Sequence, residues 1–595
     1  MEPLFFRRLI PASYKGTISL FLGGGAHATQ LFARNLVYRS PFPEHAQLAH
    51  DTDNMQKRLL THARRQVQDA AVFSDDHYPT FYGGDFSNSP FIWSGGLNFT
   101  HSVASGDPFD TSVLLWTRAV PVSPAGSTTL PDQSVPVCIS YKITTSSDLS
   151  GNAVDSGSAF TSYDVDWTVK SLVGKTRTIP SPDTPARRVN NGKPLSIAVF
   201  SCSQFQAGWF NAYGFAAHNA TADIFIHLGD YIYESLGNGA RIGRQVLGRE
   251  LATIHDYRQR LNQYQAFTFI FQFERDDHEV ADNSWKAGTA DSNDTAAGCA
   301  FSPSGACFTD RKLAAARAYH EWMPIRQVVP DDKLRTWRNF QIGRLLDLTM
   351  LDTRQYDRDL TDVYYNTDPA LEFVNSLADF NNRSLMGAAQ ESWLYGTLSK
   401  SKARNAIWRV IGQQIVFTQL NESGTFDVDA WDGYRANRAR VLDHLYKNKI
   451  SNTVILAGDS HANWVSDLAH PNDTSYDPVT GAGAIGVEFA GTAVTSSSSF
   501  GSGISPAAAD VKSRELVAAN RELQWSEGSF RGFFVLSIDS DYLNATYYGM
   551  RNISFANLDG FPTAHFVVKN GQNKLSRPVA GGAVQAGVLK SSLGA

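Results

Sequence analysis

Four short stretches of this chain each end on side chains that bind metal ions or move protons. Ile224 to Leu228 is a compact apolar run, Gly229 breaks it, and Asp230 and Tyr233 follow three residues apart. A run of that length and composition reads as a strand buried on both faces. A carboxylate and a phenol just past its C-terminal end sit where open α/β sheets carry their sites, and both oxygens can reach one hard cation. Upstream, Leu195 to Gln204 reads as a strand ending on Cys202. Downstream lie Asp276-Asp277-His278-Glu279, and a strand from Val454 that runs into Gly458-Asp459-Ser460-His461. Singly, Asp230 and Asp459 read as turn residues, Tyr233 and Cys202 as core, and His461 as a structural histidine. Together, four such ends suit a two-metal hydrolase in which one carboxylate bridges two ions.

The elements that must position these ends come from a chain of 595 residues, long enough for two to four domains. A net charge of −5 with no long charge runs points away from nucleic acid and from anionic membrane surfaces. Residues 1–28 run basic, apolar, small, in the order of a secretory signal. Residues 29–95 read as a helical and loop lead-in, with helical spacing from Gln56 to Val72. Residues 96–193 read as a small β-sandwich, with strands at Ser112–Thr117, Val135–Tyr141 and Tyr163–Val169 and a polar linker at Pro180–Lys193. From residue 194 to about 570 buried strands alternate with helices, among them Asp256–Phe267, Asp310–Trp322 and Asn437–Lys449, which reads as a layered α/β domain. Residues 571–595 read as a mobile Gly/Ala/Ser tail.

Of the four cysteines, Cys299 and Cys307 bracket a short loop that a disulfide can close, which requires an oxidising compartment. Cys138 reads as a buried thiol. Eight Asn-x-Ser/Thr sequons fit a secreted or cell-wall protein without establishing it. Beyond the N-terminus no stretch is long and apolar enough to span a bilayer. There is no Gly-x-Ser-x-Gly elbow and no P-loop.

With these residues in view, the chain resembles the PhoD-like alkaline phosphatase/phosphodiesterase family from about residue 96 to 570. The resemblance is carried in order by Val103–Pro108 with Leu115–Arg118, Ser201–Gln204, Gly229–Glu234, Asp276–Asn283, Leu351–Tyr356, Ala430–Tyr434, Gly458–His461 and Val487–Glu488–Phe489. It departs at Val169–Lys170, which runs almost at once into Ser171–Thr178, leaving the small domain a strand short near residue 170. That predicts an unpaired edge. The family implies a calcineurin-like metallophosphatase core, a β-sandwich flanked by helices, behind an Ig- or fibronectin-like all-β domain. It also implies a dinuclear site holding Fe(III) and calcium.

On that reading Cys202, Tyr233 and His461 hold the ferric ion, since thiolate and phenolate suit it. Asp230 bridges. Asp277 and Asp459 supply oxygen to calcium, and Asn283, or its neighbour Asp282, completes that shell. Bound ions lower the pKa of a coordinated water, and the hydroxide attacks phosphorus in line. Arg354 is the candidate phosphate clamp and His278 the general acid, or else a residue that orients a ligand. Asp432, His101, His320 and His444 read as structural. The expected function is hydrolysis of phosphate esters by a monomer. The alternatives are a phospholipase D-like phosphodiesterase on lipid or polymer substrates and a catalytically idle binding protein.

Overall fold

The structure, a computed structural model, describes residues 92–594 apart from short internal stretches, the longest being 171–177, 265–271 and 362–367. The expected signal segment and the helix at Gln56–Val72 lie outside the described residues.

The small N-terminal domain has strands β1 (Leu97–Phe99), β2 (Ala104–Gly106), β3 (Leu114–Pro121), β4 (Val137–Thr144), β5 (Ala153–Thr161) and β6 (Thr168–Lys170). β3 pairs antiparallel with β1, β2 and β6, while β4 and β5 form a separate ribbon. Val137, Ile139 and Tyr141 alternate along β4 and meet Ala119, Trp167 and Val169 in one apolar cluster, as a period of two requires. The strand expected from Tyr163 is shorter than its sequence suggests. Tyr163–Val165 is a 3-10 turn, Asp166 and Trp167 are left-handed (φ 53° and 60°), and extended pairing starts only at Thr168. Arg118 fixes this turn, donating from Nη2 to Asp166 Oδ1 (2.8 Å) and from Nε to the Asp166 carbonyl (2.9 Å).

The rest of the chain is built on two large mixed sheets. Its strands are β7 (Leu195–Phe200), β8 (Ile224–His227), β9 (Gln272–Phe273), β10 (Arg338–Ile342), β11 (Leu346–Met350), β12 (Trp408–Gly412), β13 (Asn421–Glu422), β14 (Thr425–Phe426), β15 (Thr453–Ala457), β16 (Asn463–Ala469), β17 (Ala484–Ala490), β18 (Leu523–Glu527), β19 (Arg531–Ile538), β20 (Tyr542–Met550), β21 (Gly560–Lys569) and β22 (Val588–Leu589). One sheet runs β21-β20-β19-β7-β8-β9, the other β10-β11-β12-β15-β17-β16-β18-β22; β13 and β14 form a small hairpin. The pairs among β7, β8 and β9, and among β11, β12, β15 and β17, are parallel.

The inward residues Ile197 and Val199 of β7, Ile226 of β8, Leu348 of β11, Val454 and Leu456 of β15 and Phe489 of β17 belong to one apolar core shared by both sheets. The outward residues Ala198 and Phe200 pack with the helices Asn211–His218 and Phe308–Trp322. On the far sheet Ile411 and Ile455 pack with the helices Gly387–Ala403 and Arg435–Lys447. Both faces of each sheet are therefore covered, which is why these strands read as continuous apolar runs.

Most expected helices and strands recur within a few residues, such as Ile254–Gln263 for Asp256–Phe267, whose start is set by a Thr253/Asp256 capping box. The expected mobile tail is corrected. β22 pairs with β18, Leu575, Val579 and Leu589 are buried in the shared core, and Arg577 Nη2 reaches the buried Asp467 Oδ2 at 2.5 Å. A low-complexity composition concealed the few apolar residues that fix this segment. Cys299 and Cys307 form the expected disulfide; Cys138 is half-buried rather than buried.

Candidate metal centre

The site forms where loops leave the C-terminal ends of the parallel strands. β7 ends at Phe200, two residues before Cys202; β8 ends at His227, ahead of Asp230; β15 ends at Ala457, ahead of Asp459 and His461. Cys202, Asp230, Asn283, Asp459 and His461 all adopt left-handed backbone, with φ between 50° and 63°. Such conformations cost on the order of 1–2 kcal/mol each for a residue with a Cβ, so the surroundings must hold them in place.

Among the described residues, three sets of donor atoms each lie within 4.8 Å of one another: Cys202, Asp230 and His461; Asp230, Asp277 and His278; and Asp230, Asp276, Asp277 and Asp459. Asp230 belongs to all three. Tyr233 joins the first set, since its hydroxyl donates to Asp230 Oδ2 at 2.8 Å and lies 3.0 Å from His461 Nε2. Asn283 takes part through its backbone N–H, which donates to Asp277 Oδ2 at 2.6 Å. Cys202, Asp230, Tyr233, Asp276 and Asp277 make a buried floor, while His278, Asp282, Asn283, Asp459 and His461 are half-buried and form the open side.

The floor is electrostatically costly. Burial pushes the Asp230 and Asp276 carboxyls well above the usual range, and neighbouring carboxylates push them further. Asp459 is raised to about 7, by burial and then by the nearby Asp277, Asp429 and Asp427. Asp277 goes the other way, because Arg354, His278 and the Asn283 amide outweigh its burial. Burial lifts the Cys202 thiol and the Tyr233 phenol well above their ordinary values. Asp276 Oδ2 and Asp277 Oδ1 are buried and accept no hydrogen bond among the described residues. Crowded carboxylates with orphaned oxygens, beside a thiol, a phenol and an imidazole, fit bound cations in place of protons.

His278 stands at the edge of the cluster. Its Nδ1 is 2.6 Å from Glu234 Oε2, its ring lies 4.0 Å from that of Tyr233, and its Nε2 points toward Asp282 (3.7 Å). Burial opposes its charge, but Glu234, Asp277 and Asp230 outweigh it and hold the ring protonated. Arg354 is fully buried: its Nε is bonded to Asp276 and its Nη1 to Asp429, while Nη2 lies 2.8 Å from Asp459 and 3.8 Å from Asp277. Its donors face four carboxylates, and it stands as their counter-charge in this arrangement.

Several contributors were not evident from sequence. Asp276 shares its block with Asp277 and so was within reach of motif reading. Glu279 accepts from the backbone N–H groups of Asp230 (3.1 Å), Tyr231 (2.5 Å) and Asp276 (2.6 Å), tying two ligand turns together. Asp429 pairs Arg354 and Arg358. Asp432 and Glu488 hold backbone: Asp432 accepts from the Leu420 amide (2.9 Å), and Glu488 accepts from the amides of Phe417 and Thr418 (2.7 Å each).

Residues 197–547 match the model of the PhoD-like phosphatase family, and residues 90–179 match that of the PhoD-like phosphatase N-terminal domain. Alkaline phosphatase D of Bacillus subtilis (strain 168) is 31% identical over 537 residues, covering 83% of this chain and 84% of that protein. A solved structure described as the structure of PhoD superposes with a TM-score of 0.65 at 27% identity, over 84% of this chain and 96% of the other. Cys202, Asp230, Tyr233, Asp277, Asn283, Asp459 and His461 all lie within the matched 197–547, and the chain belongs to the PhoD-like phosphatase family.

Proposed function

We propose that this chain hydrolyses phosphate esters at a dinuclear metal site. The observation that carries the reading is the position of Asp230, shared between a set with thiol, phenol and imidazole donors and a set of carboxylates. The first set suits a ferric ion and the second a calcium ion. Bound ions supply an activated water at neutral pH and offset charge building on the phosphoryl oxygens. The residues do the rest. Asp230 spaces the two sets, and the buried floor of Cys202, Tyr233, Asp276 and Asp277 keeps bulk water from one side. His278, held at Nδ1 by Glu234, presents Nε2 at the open side, where it donates a proton or hydrogen bond to the leaving oxygen. Arg354 keeps the acidic floor from repelling itself apart.

On this reading the two core sheets form a metallophosphatase-type sandwich and residues 96–193 a small Ig-like domain. The Cys299–Cys307 disulfide supports work in an oxidising, extracytoplasmic compartment. No helix among the described residues is long and apolar enough to cross a membrane. The test is hydrolysis of p-nitrophenyl phosphate and bis-p-nitrophenyl phosphate by the purified chain. Turnover that is lost on chelation and restored by added ferric and calcium ions supports the proposal; turnover indifferent to chelation contradicts it.

A further inference from the structure

The left-handed turns at Cys202 and Asp230 lie side by side because β7 and β8 are parallel neighbours, with Phe200 opposite His227. Backbone bonds stitch them: Cys202 N–H donates to the Gly229 carbonyl (3.1 Å) and Ser203 N–H to the Asp230 carbonyl (2.8 Å). One side chain reaches both turns. The buried His227 accepts at Nδ1 from the Gly229 N–H (3.3 Å), while its Nε2 lies 3.0 Å from Ser203 Oγ and 2.9 Å from Tyr213 OH. Accepting at Nδ1 leaves the ring proton on Nε2, so one imidazole grips the Asp230 turn with one nitrogen and the Cys202 turn with the other.

Ser203 Oγ and Tyr213 OH are also bonded to each other. The Tyr264 hydroxyl donates to the Ser203 carbonyl (2.7 Å) and accepts from the Phe205 amide (3.0 Å), closing the far side of the Cys202 turn. The imidazole is walled in by the rings of Tyr213 (6.2 Å) and Tyr231 (5.4 Å). His227 belongs to none of the donor sets, and nothing in the proposed chemistry uses it.

We propose that His227 is a positioning residue that ties the Cys202 turn to the Asp230 turn and so sets the spacing of their thiol and carboxylate donors. This rests on the metal reading above. Partners behind metal ligands typically govern affinity by 10- to 100-fold. A residue that merely filled core would lower stability without that effect.

The test compares the full-length wild type with His227→Gln, which keeps a donor near Nε2, and His227→Asn, which keeps an acceptor near Nδ1. Tyr213→Phe, which leaves the His227–Ser203 contact, is the control. Iron and calcium per chain are measured after dialysis against graded chelator, and Tm is measured for metal-free and metal-loaded protein. The proposal expects both His227 variants to release metal at roughly 10- to 100-fold lower chelator, with a smaller metal-induced rise in Tm. Tyr213→Phe should stay within a few-fold of wild type. His227 variants that hold metal as wild type does, with Tm lowered equally in both forms, would overturn it. If neither variant folds, Ser203→Ala removes one arm of the clamp; weakened metal retention supports the proposal, and unchanged retention overturns it. A wild-type chain that takes up no metal overturns both this inference and the reading it rests on.

Discussion

At the scale of single residues, the site concentrates unfavourable features that only make sense jointly. Cys202, Asp230, Asp459 and His461 hold left-handed backbone, and the Asp230 and Asp276 carboxyls are pushed up by burial and by one another. Asp230 is the residue whose loss should matter most to chemistry: Asp230→Asn is expected to abolish hydrolysis while the chain stays folded by circular dichroism, and appreciable turnover would refute its shared role. Arg354 should behave differently from a substrate clamp. Removing a buried charge that faces Asp276, Asp277, Asp429 and Asp459 leaves carboxylates uncompensated, at a cost of about 3–5 kcal/mol. Arg354→Ala should therefore lower the urea midpoint of the metal-free protein sharply. Preserved stability with only a raised KM would return Arg354 to the phosphate. Sequence reading found the ligand-type residues because thiol, phenol, imidazole and carboxylate at strand ends are uncommon in one chain. The ion pairs of Arg354 are not legible there, because nothing in Leu351–Tyr356 reveals that Asp429, about seventy-five residues away, closes over it.

At the scale of elements, the turns that carry the candidate ligands are held from outside. Glu279 accepts three backbone N–H groups from the Asp230 and Asp276 turns. Glu279→Ala would leave these donors buried and unpaired, at about 1–3 kcal/mol each. It is expected to lower both Tm and metal retention, whereas Glu279→Gln should keep part of each; equal behaviour of the two variants would contradict the bridging role. Strands such as β7, β8 and β15 were legible because both of their faces are apolar. The Tyr163–Val169 segment was not. Its alternation suits a strand, yet the contact that bends it comes from Arg118 on β3, a tertiary partner that no local pattern reports.

At the scale of the whole molecule, two features tie distant parts together. His101 of the small domain is buried against Trp116 and against Trp322 of the core, and Trp116 Nε1 donates to the Glu321 carbonyl at 2.9 Å. Burial, then Arg118, push the His101 pKa down to about 4. The unfolded chain takes up this proton near 6.5 and the folded chain does not. Its contribution is therefore intact above pH 6.5 and is lost as pH falls toward 4, by about 3 kcal/mol in total. Relative to His101→Gln, wild-type unfolding free energy should fall across that window; parallel pH profiles would contradict it. The second feature is the C-terminal segment. Deleting residues 571–595 removes Leu575, Val579, Val588 and Leu589 from burial, on the order of 6 kcal/mol or more. The truncated chain is expected to be insoluble or strongly destabilised, whereas a mobile tail would leave Tm unchanged. The mixture of helices and strands was legible from the switch in periodicity near residue 194; the docking of the last segment was not, because its few buried apolar side chains, set among Gly, Ala and Ser, make no pattern.

In the proposed function Asp230 would stand between two cations of different chemistry. The most direct measurement is metal content per chain by mass spectrometry, on the wild type and on Cys202→Ser and Asp459→Asn, each assayed for phosphate-ester hydrolysis. A dinuclear site predicts iron and calcium near stoichiometry in the wild type, preferential loss of iron in Cys202→Ser and of calcium in Asp459→Asn, and loss of turnover with either. An active wild type containing neither ion, or both variants losing the same single ion, would contradict it.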